Sequence, residues 1–549
     1  MSTTVIEHVL SRLHELGVRE VFGVPGDYSF SINDAICEDT NFRWVGTCNE
    51  LNAAYAADGY ARINGLAALC TTFGVGELSA INGVAGAYAE HLPLFHLVGM
   101  PATSIQEAHG LVHHTLGNGR FDLFYNTAES VVCARSIITP KNCVSETERV
   151  VSEAMYHRRP VYMALADDHA NALIANDTPS LMPPKSDPVV LEAAVSAIVN
   201  AISEANAACV LPGIIVRRFG LQDEMTAVVD ASGLPFATMI MDKGVLDEAH
   251  PNFIGIYDGQ LMDEDVRVFV EGCDCVLEFG TLRTEVNTGS FTANLEPSKS
   301  INVMPHEVRI GHDVYSRVEM GDILRALTSR LPKRKAIHTP KWRGMEDPAG
   351  AASDKIDENY LYPRLQQFLK PDDIIVTETG TVMMGLAFAT LPSGATLLNQ
   401  TLWGSIGWAT PAAFGAALAA PSRRVVLVTG EGSHQLTAQE VGQFHRFGLK
   451  PIVFLLNNSG YLTERLFCKN GDSYYNDLAQ WDYQLLPKAL GCADWFTARV
   501  ATCGELDQAM EQAEGSGTGS YIEIIADKYM APQLAQRMRA LMRSSHHSK

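Results

Sequence analysis

Short apolar runs recur along the chain and alternate with stretches in which small and apolar residues return at helical spacing. In the first third, residues 21–24, 67–72 and 94–100 read as buried strands, with small-residue helices between them. The pattern resumes at 208–211, 275–278 and 300–303, and again at 425–428 and 452–456. Strand and helix patterns that alternate in this way predict an α/β fold with parallel sheets. The opening stretch, residues 1–17, carries Val5, Val9, Leu10, Leu13 and Leu16 on one helical face. Glu7, His8, Arg12 and Glu15 interrupt it, so it reads neither as a signal peptide nor as a membrane span.

Punctuation divides this rhythm. Pro179, Pro183, Pro184 and Pro188 mark a first junction, and residues 333–358 form a charged, Pro/Gly-containing stretch without periodicity. The expected division is a domain over 1–182, a second over 189–332, a linker over 333–358 and a third domain over 359–549. No G-x-G-x-x-G occurs in the middle part, which argues against a nicotinamide oxidoreductase.

Composition narrows the partners. The 549 residues hold 42 Lys+Arg against 63 Asp+Glu, a net charge of −21. That balance argues against nucleic acid or an anionic membrane as a partner. The 11 cysteines are odd in number and scattered, with no CxxC. They read as reduced thiols in a cytoplasmic protein.

One pair of motifs carries most of the chemistry. Gly430-Glu431-Gly432-Ser433 follows the apolar run 425–428, and Asn457-Asn458 follows 452–456. A helix-like stretch, residues 437–447, lies between and ends at Gly448. Strand, turn, helix and strand make a βαβ unit, whose crossover sets both motif ends at the same sheet edge. The glycine turn lets backbone N–H groups approach a phosphate. Glu431, Asn458 and a nearby carbonyl offer oxygens to a hard divalent cation. Together they read as a diphosphate–metal site.

The spacing resembles the fingerprint of the thiamin diphosphate enzymes: Gly-Asp-Gly, about two dozen residues, then Asn-Asn. One departure stands out, because Glu431 occupies the family's Asp position. Residues 48–62 look like the pyrimidine-binding segment of the same enzymes, with Glu50 opening a small-residue helix. The bland alternative for Glu50 is a carboxylate that complements a helix N-terminus. The resemblance makes it the acid that protonates N1′ of the aminopyrimidine and so activates the cofactor.

Three further segments narrow the family: Asp27 after Pro25-Gly26, His113-His114 in a glycine-bounded loop, and Glu464 six residues after Asn458. Each alone is weak; Asp after Pro-Gly is usually a turn residue. A zinc site is another reading of the histidines, but no Cys or His cluster at ligand spacing supports it. As a set, Asp27, Glu50, His113, His114 and Glu464 resemble the acid–base groups of the thiamin-dependent 2-keto acid decarboxylases, in the pyruvate and indolepyruvate decarboxylase branch. The likeness runs along nearly the whole chain.

The resemblance implies three doubly wound α/β domains: pyrimidine-binding, central and diphosphate-binding. It implies thiamin diphosphate and Mg²⁺ as cofactors, with Glu431, Asn458 and the Gly460 carbonyl on the metal. Thr379, Thr381, Gly432 and Ser433 would surround the diphosphate. Gly404 would accept from the 4′-amino group, and Ile406 would prop the cofactor into a V shape. Val286, Thr379, Met383, Met384, Thr463, Met538 and Met542 would line the substrate pocket. Ordinary core packing is the alternative for Ile406 and for the C-terminal methionines. The implied partners are a small 2-keto acid and further copies of the chain, in a homodimer or homotetramer with the cofactor at the subunit interface. A thiamin-dependent carboligase, and a cofactor-binding protein without turnover, are the rival readings; the His-His pair argues against the first.

Overall fold

The computed structural model describes residues 3–175, 184–335 and 337–546. Two compact units divide it. One holds the residues up to 184 with 407–422 and 436–449, and the other holds the rest.

The first unit is built on a six-stranded parallel sheet. Its strands, in spatial order, are Arg43–Gly46, Glu20–Gly23, Ala67–Thr72, Leu94–Met100, Val161–Ala166 and Ala134–Ile138. In order of sequence this is 2-1-3-4-6-5, so the chain reverses direction across the sheet beside the first strand. Strands 67–72, 94–100 and 161–166 are buried throughout, as expected of a sheet covered on both faces. The opening helix, Val5–Glu15, is held by a capping box between Thr4 and Glu7, and it buries Val5, Val9, Leu10 and Leu13 as the spacing predicted.

The helix Glu50–Asn64 is almost wholly buried beyond its first turn. Its small residues let the helix Ala409–Ala419 cross it at backbone distance. A Cβ placed on Gly59 would lie 2.1 Å from the Ala412 carbonyl oxygen, and one on Gly415 would lie 1.8 Å from that of Ala56. A helix with Leu or Val at these places could not approach so closely.

The second unit contains two sheets. One runs Thr396–Leu398, Ile374–Thr377, Val425–Gly430, Ile452–Asn457, Ser520–Ile525 and Phe496–Val500, all parallel. Its order is again 2-1-3-4-6-5. The shared rhythm of the first and last thirds is therefore a shared topology. The other sheet has seven strands, and five of them are parallel, from Ser300–Met304 through Cys275–Phe279, Ala208–Pro212 and Phe236–Thr238 to Phe253–Ile256. It ends in an antiparallel meander through Glu307–Ile310 and Asp313–Ser316, which the apolar pattern did not predict. These last strands are short and largely exposed, so they lack the apolar run that marked the others.

Two expectations change. The helix read at 437–447 begins earlier, at Glu431, and is broken into Glu431–Thr437, a 3₁₀ turn Ala438–Glu440 and Val441–Arg446. The glycines of the motif hid its first turn, because glycine is a poor helix former. Pro188 opens the helix Pro188–Glu204, with Asp187 accepting from the Val189 and Val190 amides. Pro179, Pro183 and the boundary at 182 lie outside the described residues. Between 333 and 357 the described residues form no helix. They still pack: the Trp342 indole donates to Thr390 Oγ1 at 3.1 Å.

Candidate active site

In each six-stranded sheet, the singled-out residues lie just beyond the carboxyl ends of strands. In the first unit Asp27 follows the strand ending at Gly23, Glu50 follows Gly46, and the turn at Gly74 follows Thr72. In the second unit Thr379 and Thr381 follow Thr377, Gly404 and Ile406 follow Leu398, Glu431 follows Gly430, and Asn458 follows Asn457. This is the crevice edge at which doubly wound sheets bind ligands.

A single cleft in the second unit is walled by Thr379, Thr381, Ile406, Glu431, Gly432, Ser433, Asn458, Gly460, Thr463 and Glu464. All ten were singled out from the sequence. Gly404 stands beside it in the left-handed conformation, φ +66°, with a would-be Cβ 3.8 Å from the Thr379 methyl. Gln400 braces both: its carbonyl accepts from Thr379 Oγ1 at 3.1 Å and from the Gly404 amide at 3.1 Å. Ile406 is 38 % exposed, an apolar side chain held out at the cleft rather than packed in a core.

Glu431 is buried, and its Oε1 accepts from the amides of Gly460 at 2.8 Å and Asn458 at 3.2 Å. Burial pushes its carboxyl up to about 7, against those two hydrogen bonds. The residues present fit a hard divalent ion. The candidate donors are all oxygens, and a cation would offset the cost of a buried carboxylate. Glycine at 432 lets the turn pack against the Tyr461 ring, because a Cβ there would lie 2.6 Å from it. One functional-looking residue was missed. Arg465, itself buried, donates to the carbonyls of Asn458 at 3.0 Å and Ser459 at 2.6 Å and so clamps the turn after the asparagines. The signal available was an Arg one residue after Glu464.

The extra methylene of Glu431 relative to Asp adds a reach of roughly 1.5 Å. The two amides that hold Oε1 show how the turn accommodates it. Glu431→Asp is therefore expected to retain cofactor-dependent turnover and to bind Mg²⁺ at least as tightly. A Mg²⁺ titration of both proteins at saturating cofactor checks this; a tenfold weaker response in the Asp variant would refute it.

The residues expected at the substrate pocket divide. Met383 and Met384 belong to one apolar cluster with Leu462, Leu466 and Leu534, and Val286 and Met538 pack against it. Met542 is 46 % exposed and lies outside that cluster. The helix Gln533–His546 carries both methionines, and only Met538 turns into the core.

In the first unit the fold gathers Asp27, His113 and His114. Asp27 Oδ2 stands 2.6 Å from His113 Nε2, and Oδ1 stands 3.9 Å from His114 Nε2. Tyr28, not singled out from the sequence, stacks on the His113 ring at 4.9 Å. His114 has a positive φ of 61°, and its carbonyl lies against Gly74, where a Cβ would come within 2.0 Å. The Gly74 amide is held by Glu77 Oε1 at 2.8 Å, and Glu77 Oε2 accepts from Tyr162 at 2.8 Å. Glu50 opens its helix after the Asn49 cap and is half-buried, with Oε1 3.3 Å from a would-be Cβ on Gly76. The turn at 74–77 thus touches both Glu50 and the histidine loop. Glu464, in the second unit, has its carboxyl raised by burial.

Comparison with known proteins agrees with this arrangement. The chain matches the family "Thiamine pyrophosphate enzyme" in its N-terminal TPP binding domain over residues 3–119, its central domain over 195–329 and its C-terminal TPP binding domain over 378–524. An alpha-keto-acid decarboxylase of Mycobacterium leprae is 38 % identical over 538 residues, which is 97 % of this chain and 94 % of that protein. One of Mycolicibacterium paratuberculosis is 38 % identical over 518 residues, 93 % of this chain and 91 % of its own. One of Mycobacterium tuberculosis H37Rv is 37 % identical over 540 residues, 97 % and 96 %. The chain belongs to the thiamine pyrophosphate enzymes and, within them, to the thiamin-dependent 2-keto acid decarboxylases.

Proposed function

We propose that the protein converts a 2-keto acid to an aldehyde and carbon dioxide with thiamin diphosphate and Mg²⁺, and that it favours branched, longer-chain or aryl 2-keto acids over pyruvate. The observation that carries the reading is the cleft that unites Thr379, Thr381, Ile406, Glu431, Gly432, Ser433, Asn458, Gly460, Thr463 and Glu464. When bound, the cofactor supplies the electron sink for the pair released as carbon dioxide leaves. Glu431, Asn458 and the Gly460 carbonyl would hold the metal, and Gly432 and Ser433 would hold the diphosphate. Glu50 donates a proton at N1′ of the pyrimidine. Asp27, His113, His114 and Glu464 hold and move protons at the keto oxygen and at the carbon that becomes the aldehyde.

The reading divides the chain into a pyrimidine-binding domain over 1–182, a central domain over 189–332, a linker over 333–358 and a diphosphate-binding domain over 359–549. It assigns Glu50 to a cofactor whose diphosphate is held by a second copy of the chain, in a homodimer or homotetramer. The cytoplasm fits eleven scattered cysteines with no CxxC among them. Among the described residues no helix is long and apolar enough to cross a membrane.

The substrate preference rests on Val286, Met383, Met384 and Met538, which the resemblance places at the substrate and which belong to or pack against one apolar cluster. Val286 is small, and the methionines beside it are flexible. Such a wall accommodates added methylenes, each contributing up to about 0.8 kcal/mol when buried. Carbon dioxide release from a panel of 2-keto acids, with and without thiamin diphosphate and Mg²⁺, is the test. The expected result is a higher kcat/KM for the long, branched or aryl acids than for pyruvate. Val286→Phe should lower activity on the long acids more than on pyruvate. A clear preference for pyruvate in the unaltered protein would refute the pocket argument and leave the decarboxylase standing.

A further inference from the structure

The geometry points to a second metal site at Asp27, His113 and His114, which takes a zinc-class divalent ion and thereby shuts off proton transfer. Each of the three residues offers one ligand atom, and these atoms lie within 4.8 Å of one another. A tetrahedral zinc with bonds of about 2.0–2.2 Å spaces its ligands about 3.3–3.6 Å apart. The present spacings, 2.6 Å from Asp27 to His113 and 3.9 Å from Asp27 to His114, bracket that value. These two distances run to the two different oxygens of Asp27 and need to change by less than about 1 Å to reach it, and the side chains have room to do so. His113 is 59 % exposed, Asp27 41 % and His114 31 %.

The donor set decides which ion binds. Two imidazoles and one carboxylate suit zinc, cobalt, nickel or copper, whereas magnesium prefers oxygen alone. The candidate site at Glu431 offers only oxygens, so the two places sort metals by hardness. Three protein ligands with one side open leave a position for water, the arrangement of an accessible zinc site rather than a closed structural one. An outer partner is also present: Tyr28 Oη lies 3.4 Å from His113 Nδ1 and its ring stacks on the imidazole. Such a contact orients a ligating histidine. A metal ion there occupies the lone pairs through which these groups would carry protons. Inhibition rests on the proton-handling role proposed above; binding of the ion does not.

The test uses the holoprotein saturated with thiamin diphosphate and Mg²⁺, titrated with Co²⁺ and read by visible d–d absorption and equilibrium dialysis. One cobalt per chain beyond the magnesium is expected, displaced by Zn²⁺. His113→Gln and Asp27→Asn should each weaken it at least about tenfold, with an unchanged far-ultraviolet circular dichroism spectrum. In parallel, Zn²⁺ should lower carbon dioxide release, with recovery when a chelator is added and Mg²⁺ restored. No additional cobalt, or a band that survives in both variants, would overturn the site. Full turnover with zinc bound there would overturn its inhibitory role. Because the cobalt band is read without substrate, its failure is distinct from a failure of the decarboxylase reading.

Discussion

Glu50→Gln is expected to leave the fold and most of the cofactor affinity intact and to remove most of the turnover. Gln at this place can hydrogen-bond to N1′ but has no carboxyl proton to give. A positioned general acid is typically worth about 10²–10⁴-fold. The structure makes the substitution clean. Glu50 is the first residue of its helix, and the cap is made by the neighbouring Asn49, whose side chain accepts from the Asn52 amide at 2.8 Å. The cap therefore survives the change. Single-turnover and steady-state carbon dioxide release, with cofactor binding measured separately by quenching of protein fluorescence, checks the prediction. Turnover near that of the unaltered protein, with cofactor bound, would remove Glu50 from the proposed role.

Gly415→Ala should damage the protein through packing rather than chemistry. The added Cβ would lie 1.8 Å from the Ala56 carbonyl oxygen and 2.9 Å from the Tyr60 amide nitrogen. Both are backbone atoms, so no side chain can swing away, and the helices must part. Overpacking of this kind costs about 1–3 kcal/mol, occasionally more. The helix that is pushed also carries Glu50, so turnover falls along with stability. Gly272→Ala is the control: it lies in the helix Glu264–Gly272, and a Cβ there meets nothing within 4 Å. Thermal melts of both should show a clear loss for position 415 and none for position 272. Equal midpoints would show that the helix crossing tolerates more than its geometry allows.

Much of the site could be read from the chain because its parts are local. Glu431 and Asn458 stand at the ends of neighbouring strands joined by one helical crossover, and a crossover of that length has one handedness. Glu50 follows the strand-like stretch 43–47 and opens a helix, which the small-residue pattern marks directly. The buried strands were visible for the same reason, since a strand covered on both faces must be apolar along its length. The meander at 307–316 was not visible, because its strands are short and only Val308 in them is buried, too little to make an apolar run.

Other features arise only from distant contacts. Asp27 and His113 are far apart in sequence, so no spacing shows that they meet, and only the resemblance sets them in one acid–base group. Glu77 and Arg465 look like ordinary helix charges until the turns they clamp, at Gly74 and at Asn458–Ser459, are folded against them. The early start of the helix at Glu431 was hidden because tertiary contacts override the low helix propensity of Gly432.

The sequence by itself determined the α/β class, the strand-end motifs and the chemical types of the groups that stand there. These depend on residues close along the chain, where propensity, apolar period and turn chemistry act. The tertiary structure alone decided the shared 2-1-3-4-6-5 order of the two sheets, the backbone-distance crossing at Gly59 and Gly415, and the meeting of Asp27 with His113 and His114. Parallel strands are joined by long crossovers, so which strands become neighbours is set by the packing of whole helices and not by any local pattern.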